Sequence, residues 1–205
     1  MFTLIRKVIF GLLLCVITLP AMAENTILVL GDSLSSAYGL QPDQGWVALL
    51  QKKLKENHYA YRVVNESVTG DTTSNGLVRL PFAMVTNHPV ITVIELGGND
   101  GLRGLPLNIV RKNLKAMIAM CKASHAQVLL LGIRLPPNFG PEYTKQFQAM
   151  YTELAAENKI AVLPQMLGGI DEDKQMFQSD GVHPVAAAQP TIVSNVWPVL
   201  KPMLK

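Results

Sequence analysis

Short apolar runs rich in β-branched residues recur along the chain, and stretches with apolar residues at helical spacing lie between them. Such runs are typical of strands buried on both faces of a sheet. They predict strands over residues 26–30, 61–65, 90–96, 127–133 and 160–163. The helical spacing predicts helices around Trp46, Leu50 and Leu54; around Leu77, Leu80 and Met84, with a kink at Pro81; from Pro106 to about Ser124; around Tyr143, Phe147, Met150, Tyr151 and Leu154; and within 185–200.

Strands that alternate with helices predict a parallel sheet covered by helices on both faces, in a single α/β domain. Several polar residues and glycines follow the predicted strands. Ser33 follows the first strand, Gly70 the second and Asn99 the third, while Asp180 and His183 precede the last helix. Ligand sites in such sheets lie beyond the carboxyl ends of the strands, so one cleft is expected to collect these five residues.

The first residues have the pattern of a signal peptide. Arg6 and Lys7 form a short basic region, residues 8–19 are apolar, and Ala21-Met22-Ala23 has the small residues of a cleavage site. The apolar stretch is shorter than the roughly 20 residues of a membrane span. We therefore expect cleavage after Ala23 and export, with residues 24–205 forming the domain.

Charge and cysteine content exclude several classes of protein. The formal net charge is only +3, part of it in the leader, and no basic stripe indicates a nucleic-acid partner. With Cys15 in the leader, Cys121 is the only cysteine of the mature chain, which excludes an intrachain disulfide. Cys121 shares helical spacing with apolar residues on both sides, so we interpret it as a buried structural residue and not a nucleophile.

Gly31-Asp32-Ser33-Leu34 stands directly after the first predicted strand. A serine hydroxyl becomes a useful nucleophile when a neighbouring base removes its proton. At a strand-to-helix turn, the Oγ of Ser33 would face the cleft from the helix N-terminus. The alternative is that Ser33 only caps that helix.

Asp180 and His183 supply a base and a carboxylate to orient it. A separation of three residues lets both side chains project from one turn, with Asp180 fixing the tautomer and His183 facing Ser33. The alternative is an Asp-Gly turn followed by a surface histidine. The rival histidines lie near predicted helix ends or at the other end of the sheet: His58, His88 and His125.

Attack on an acyl carbonyl also needs donors for the oxyanion. We predict the backbone N–H groups of Ser33 and Gly70 and the side-chain amide of Asn99. Gly97 and Gly98 let the chain turn sharply before Asn99. Alternatively, Gly70 is a plain turn glycine and Asn99 satisfies its own loop.

Together these residues resemble the SGNH (GDSL) hydrolases, a family named from the Ser, Gly, Asn and His of four sequence blocks. Ser33 matches the first block, Gly70 the second, Asn99 the third, and Asp180 with His183 the last. The resemblance covers essentially all of residues 24–205. Segments 96–104, 133–136 and 180–184 are most similar to a bacterial periplasmic group of thioesterases and lysophospholipases.

The resemblance implies a flavodoxin-like three-layer α/β/α sandwich with a five-stranded parallel sheet. It also implies a periplasmic enzyme that needs neither metal nor cofactor. Such an enzyme hydrolyses acyl esters, thioesters and lysophospholipids through a Ser-His-Asp triad and an acyl-enzyme. The residues agree, because no His/Cys cluster has metal-ligand spacing and 171–173 is typical of a solvated acidic turn. We expect a monomer that acts on small acyl substrates.

The sequence also contains candidates for an acyl pocket. Two loops, 101–107 and 133–139, offer apolar side chains that either bind an acyl chain or anchor the loops: Leu102, Leu105, Leu107, Leu135, Pro136, Pro137 and Phe139. Two other functions stay open, a carbohydrate O-deacetylase of the same superfamily and a non-catalytic periplasmic lipid-binding protein.

Overall fold

A computed structural model describes residues 24–205. A single parallel sheet of five strands has the order β2-β1-β3-β4-β5. The strands are β1 (Asn25–Gly31), β2 (Tyr61–Asn65), β3 (Ile91–Glu95), β4 (Gln127–Leu131) and β5 (Ala161–Leu163). This is the flavodoxin-like order, so the predicted fold class is confirmed. The predicted leader and its cleavage site lie outside the described residues.

Six α-helices connect and flank the strands within this part of the chain. They are α1 (Trp46–Glu56), α2 (Thr73–Asn87), α3 (Gly98–Leu102), α4 (Leu107–Ala123), α5 (Pro141–Asn158) and α6 (Gln189–Leu200). Helix α1 packs against α6, while α2 packs against α4 and α4 against α5. The two helix groups cover the two faces of the sheet and produce three layers. No helix within residues 24–205 is long and apolar enough to cross a bilayer.

The predicted elements differ from the observed ones mainly at their ends. Strand β2 has its predicted bounds, whereas β3 and β4 each end one or two residues earlier than predicted. The last helix begins at Gln189, because Ala186–Ala188 form a 3-10 turn before it. Helix α2 continues through Pro81. Helix α3 was not predicted.

The core lies between the sheet and its helices. The interior residues of β1 are fully buried, and the largest buried side chains are Trp46, Phe147 and Tyr151. Cys121 is also fully buried. Burial raises the pKa of the Cys121 thiol to about 11, so the thiolate is scarce at neutral pH. The predicted burial of Cys121 is confirmed.

Candidate active site

Ser33 lies in a tight turn immediately after β1. The N–H of Ser36 donates to the carbonyl of Asp32 (2.9 Å), and the N–H of Tyr38 donates to the carbonyl of Ser33 (3.3 Å). The turn does not continue into a helix, because Ala37 has a left-handed φ of 62° and the next helix begins only at Trp46. The prediction of a strand-to-helix turn is therefore wrong, and so is the alternative that Ser33 caps a helix.

The structure brings Ser33, His183 and Asp180 into one hydrogen-bonded chain. The Nε2 of His183 lies 2.9 Å from the Oγ of Ser33, and its Nδ1 lies 2.8 Å from Oδ2 of Asp180. The loop that carries Asp180 and His183 is closed by an antiparallel bridge between Phe177 and Pro184. The loop thereby lies at the carboxyl end of the sheet, where Ser33 follows β1.

Asp180 is held in its ionised form. The N–H groups of His183 and Val182 donate to its Oδ1 at 3.0 and 2.9 Å. Hydrogen bonds from the backbone and the ring of His183, followed by the Val182 N–H, lower the pKa of Asp180 to about 2. An ionised Asp180 requires the proton of neutral His183 on Nδ1, which leaves Nε2 free to accept the hydroxyl proton of Ser33.

Gly70 lies in the loop that follows β2 and has a φ of +83°. A Cβ at this position would meet no heavy atom within 4 Å, so the space in front of its backbone is open. The Gly70 carbonyl accepts a hydrogen bond from Arg103 (3.1 Å). The loop is also held by Arg79, whose Nε donates to Asp71 (2.9 Å) and whose Nη1 donates to the Glu66 carbonyl (2.7 Å).

Asn99 is presented by α3, which begins directly after a sharp turn. Gly97 has a φ of +115°, and a Cβ there would lie 2.3 Å from the Tyr151 hydroxyl, so only glycine fits. The predicted two-glycine turn is confirmed. The Nδ2 of Asn99 donates to Oδ2 of Asp32 and to the Asp71 carbonyl, each at 2.9 Å. Both amide hydrogens are therefore engaged without substrate.

Two buried carboxyl groups, those of Asp32 and Glu95, accept hydrogen bonds from the turn that carries Ser33. Oδ1 of Asp32 accepts from the Leu34 N–H (3.0 Å), and Oε2 of Glu95 accepts from the Ser35 hydroxyl (2.7 Å). Burial raises the pKa of Asp32 to about 6 and raises the pKa of Glu95 well above its usual range. The raised pKa favours the protonated form of Glu95, and the backbone N–H of Asp32 donates to its Oε2 (3.3 Å). Glu95 was not among the site residues predicted from the sequence.

This carboxyl pair predicts a pH dependence of stability. Since both pKa values are raised by folding, the pair's contribution to the free energy of unfolding is fully present below the ordinary Asp value of 3.8. This contribution is lost as the pH rises through about 6, the pKa of buried Asp32, and through the raised pKa of Glu95. The Glu95→Gln variant should therefore lose less stability than the wild type between pH 5 and pH 8, because one of the two titrating carboxyl groups is gone.

Urea unfolding of the two proteins at both pH values measures this difference. Glu172→Gln serves as a control, because the Glu172 side chain is 85% exposed and should leave the pH dependence unchanged. Parallel pH profiles for the wild type and Glu95→Gln would mean that the pair does not titrate as described.

The rival histidines lie at the opposite end of the sheet. His58, His88 and His125 follow the C-terminal ends of α1, α2 and α4, each with a left-handed φ. The acidic turn 171–173 is partly neutralised by Arg134, which pairs with Asp171 at 3.0 Å. No group of three or more potential metal ligands occurs within residues 24–205.

A cleft of about 1470 Å³ opens beside Ser33 and His183. Of the side chains predicted for an acyl pocket, three line it: Leu102, Leu135 and Pro136. Leu105, Leu107 and Phe139 do not, and the side chain of Pro137 lies outside the described part of the structure. Further residues on α5 and on the loop that carries His183 also line the cleft and were not predicted: Pro141, Thr144, Gln148, Phe177 and Val182.

Comparison with known proteins decides the family. The profile of the GDSL-like Lipase/Acylhydrolase family matches residues 29–189, which include all five predicted site residues. The chain belongs to the GDSL-like lipase/acylhydrolase family. The resemblance stated from the four sequence blocks is confirmed, and the enzyme class, hydrolase, is confirmed with it.

Relatives within this family cover almost the whole chain. The chain is 50% identical over 194 residues to Esterase TesA of Pseudomonas aeruginosa, covering 95% of this chain and 96% of that protein. It is 39% identical over 193 residues to Thioesterase 1/protease 1/lysophospholipase L1 of Escherichia coli K12, covering 94% and 91%. A crystal structure of TesA has a TM-score of 0.86 at 52% identity and covers 88% of this chain and 100% of its own.

Proposed function

We propose that this GDSL hydrolase cleaves acyl esters and thioesters, including lysophospholipids, through a covalent acyl-enzyme on Ser33. The observation that carries the proposal is the unbroken chain of hydrogen bonds from Ser33 through His183 to Asp180 at the mouth of the cleft. The names of its relatives, esterase and thioesterase/lysophospholipase, supply the substrate classes.

In the acylation step, His183 Nε2 accepts the proton of Ser33 as Oγ attacks the acyl carbonyl carbon. The carbonyl oxygen becomes an oxyanion in the tetrahedral intermediate. When the intermediate collapses, the bond to the leaving oxygen or sulfur breaks, and His183 transfers the proton to that atom. Water then repeats the sequence on the acyl-enzyme and releases the carboxylic acid. Asp180 stabilises the imidazolium that forms in each half-reaction.

The oxyanion would be held by the N–H groups of Ser33 and Gly70 and by Nδ2 of Asn99. The open space before Gly70 supports close approach of the acyl group to its backbone. Asn99 would donate to the oxyanion by exchanging its bond to the Asp71 carbonyl, while its bond to Asp32 keeps the amide oriented. The oxyanion hole would therefore be completed only when substrate is bound.

An acyl chain would lie along the apolar wall formed by Leu102, Ile133 and Leu135. Each buried CH₂ group contributes about 0.8 kcal/mol, close to fourfold in affinity or rate. We therefore expect kcat/KM to rise from acetyl to medium-length acyl groups.

A series of p-nitrophenyl esters from acetyl to palmitoyl, run beside acyl-CoA thioesters, tests this proposal on the chain that lacks residues 1–23. Turnover that rises with chain length would support the acyl hydrolase. Turnover confined to acetyl groups would favour the carbohydrate deacetylase instead. A folded protein without turnover of any substrate would favour lipid binding.

We further propose that residues 1–23 direct export to the periplasm and are removed after Ala23, and that the mature enzyme acts as a monomer without metal or cofactor. N-terminal sequencing of the periplasmic protein would test the cleavage site. Light scattering on the purified protein would test the oligomeric state.

A further inference from the structure

Tyr38 covers one side of His183 and remains accessible. The centroids of the two rings lie 4.4 Å apart with a tilt of 41°, and Tyr38 is 47% exposed. Tyr38 does not line the cleft described above, although His183 and Ser33 both do. The Tyr38 ring therefore extends the surface of the imidazole away from that cleft. Sequence reasoning gave no signal for this residue.

The backbone around Tyr38 is held in a defined place. Ala37 and Gly39, its two neighbours, both have left-handed φ values, 62° and 73°. The side-chain amide of Gln178 donates to the Tyr38 carbonyl (2.9 Å), and the backbone N–H of Gln178 donates to the His183 carbonyl (2.8 Å). Gln178 thus ties the turn that carries Tyr38 to the loop that carries His183.

The Tyr38 ring lies beside the path that a leaving group would take past His183. In the proposed mechanism, Nε2 of His183 delivers a proton to the leaving oxygen or sulfur, so the leaving group must pass beside the imidazole. With the acyl chain in the cleft, the leaving group would extend over the exposed ring beside His183. A flat aromatic surface favours contact with another flat ring.

We propose that Tyr38 forms a wall of the leaving-group site and favours esters whose leaving group carries an aromatic ring. This inference rests on the proposed function. It makes Tyr38 a specificity-determining residue, distinct from a residue that only packs His183 in place.

Two butyrate esters with closely similar leaving-group chemistry test the inference: benzyl butyrate and cyclohexylmethyl butyrate. Both pass through the same acyl-enzyme, so the ratio of their kcat/KM values reports contacts made by the leaving group. The ratio should fall by about 3- to 10-fold in Tyr38→Leu and should be retained in Tyr38→Phe, which keeps the ring. Thermal melting of each variant shows that it is folded.

A ratio that is unchanged in Tyr38→Leu, even with both rates lowered equally, would overturn the inference, because Tyr38 would then only position His183. Loss of the ratio in Tyr38→Phe would also overturn it, since the ring would not be the source of selectivity. Failure of the proposed function would look different: the wild type would turn over neither ester in a Ser33-dependent way.

Discussion

Replacement of Ser33 by alanine should lower kcat for ester hydrolysis by about 10⁴-fold or more. The variant lacks the oxygen that attacks the carbonyl, and His183 then has no hydroxyl to deprotonate. The fold should be unaffected, because the Ser33 hydroxyl contacts only His183 among the hydrogen-bond partners found within residues 24–205. Initial rates with p-nitrophenyl butyrate, together with thermal melting, measure both effects.

Ser194→Ala is the matched control for this change. The Ser194 hydroxyl donates to the Pro190 carbonyl within α6 (2.9 Å). Ser194 is exposed and does not line the cleft, so loss of its hydroxyl should leave kcat within about twofold. Retention of more than about one hundredth of wild-type kcat by Ser33→Ala would show that another group carries the acyl transfer.

Replacement of Asp180 by asparagine should lower kcat by about 10³- to 10⁴-fold, the second-largest effect we expect. The asparagine oxygen can still accept from the backbone N–H groups of Val182 and His183, so the loop should keep its shape. Its amide nitrogen would donate to Nδ1 of His183 and move the ring proton to Nε2. His183 would then present a donor to Ser33 where a base is needed.

Asp173→Asn provides the comparison for Asp180→Asn. Oδ1 of Asp173 accepts from the Gln175 N–H in a neighbouring 3-10 turn (2.9 Å), and asparagine can make the same bond. This variant should keep wild-type kcat. If Asp180→Asn lost no more activity than Asp173→Asn, Asp180 would have no part in orienting His183.

Most of the fold could be predicted because the strands are continuous apolar runs, and buried parallel strands leave that signature in sequence. Helix α3 escaped prediction for a physical reason. It has five residues, two of them glycines, and glycine disfavours helix formation. Its stability comes from tertiary contacts, since Asp100 accepts hydrogen bonds from the N–H and the hydroxyl of Thr73 at 2.8 and 2.6 Å.

The site could be predicted as far as its residues follow strand ends. Ser33, Gly70 and Asn99 follow three strands that are neighbours in the sheet. Ser33 and Asn99 line the same cleft, whereas Gly70 is not among the residues that line it. Tyr38 and Gln178 could not be found this way, because their roles depend on how two loops distant in sequence meet. Glu95 could have been singled out from the sequence, because it is the only charged residue of the apolar strand β3.

For the apolar wall of the cleft, too, the local sequence pattern could be predicted and the tertiary arrangement could not. Leu102 and Leu135 line the cleft, whereas Leu107 packs against the core as part of α4. The apolar character of these loops is visible in sequence, but the direction of each side chain is set by the helices that the loops join.

The most direct measurement of the central claim is the site of covalent labelling by an alkyl fluorophosphonate, read by mass spectrometry of intact protein and of its peptides. The phosphonate should add once, with loss of fluoride, on the Oγ of Ser33, and activity should fall in step with labelling. Ser33→Ala should remain unlabelled, while Ser194→Ala should label like the wild type. Labelling of another residue, or none in a folded protein, would contradict the proposal that Ser33 carries the acyl group.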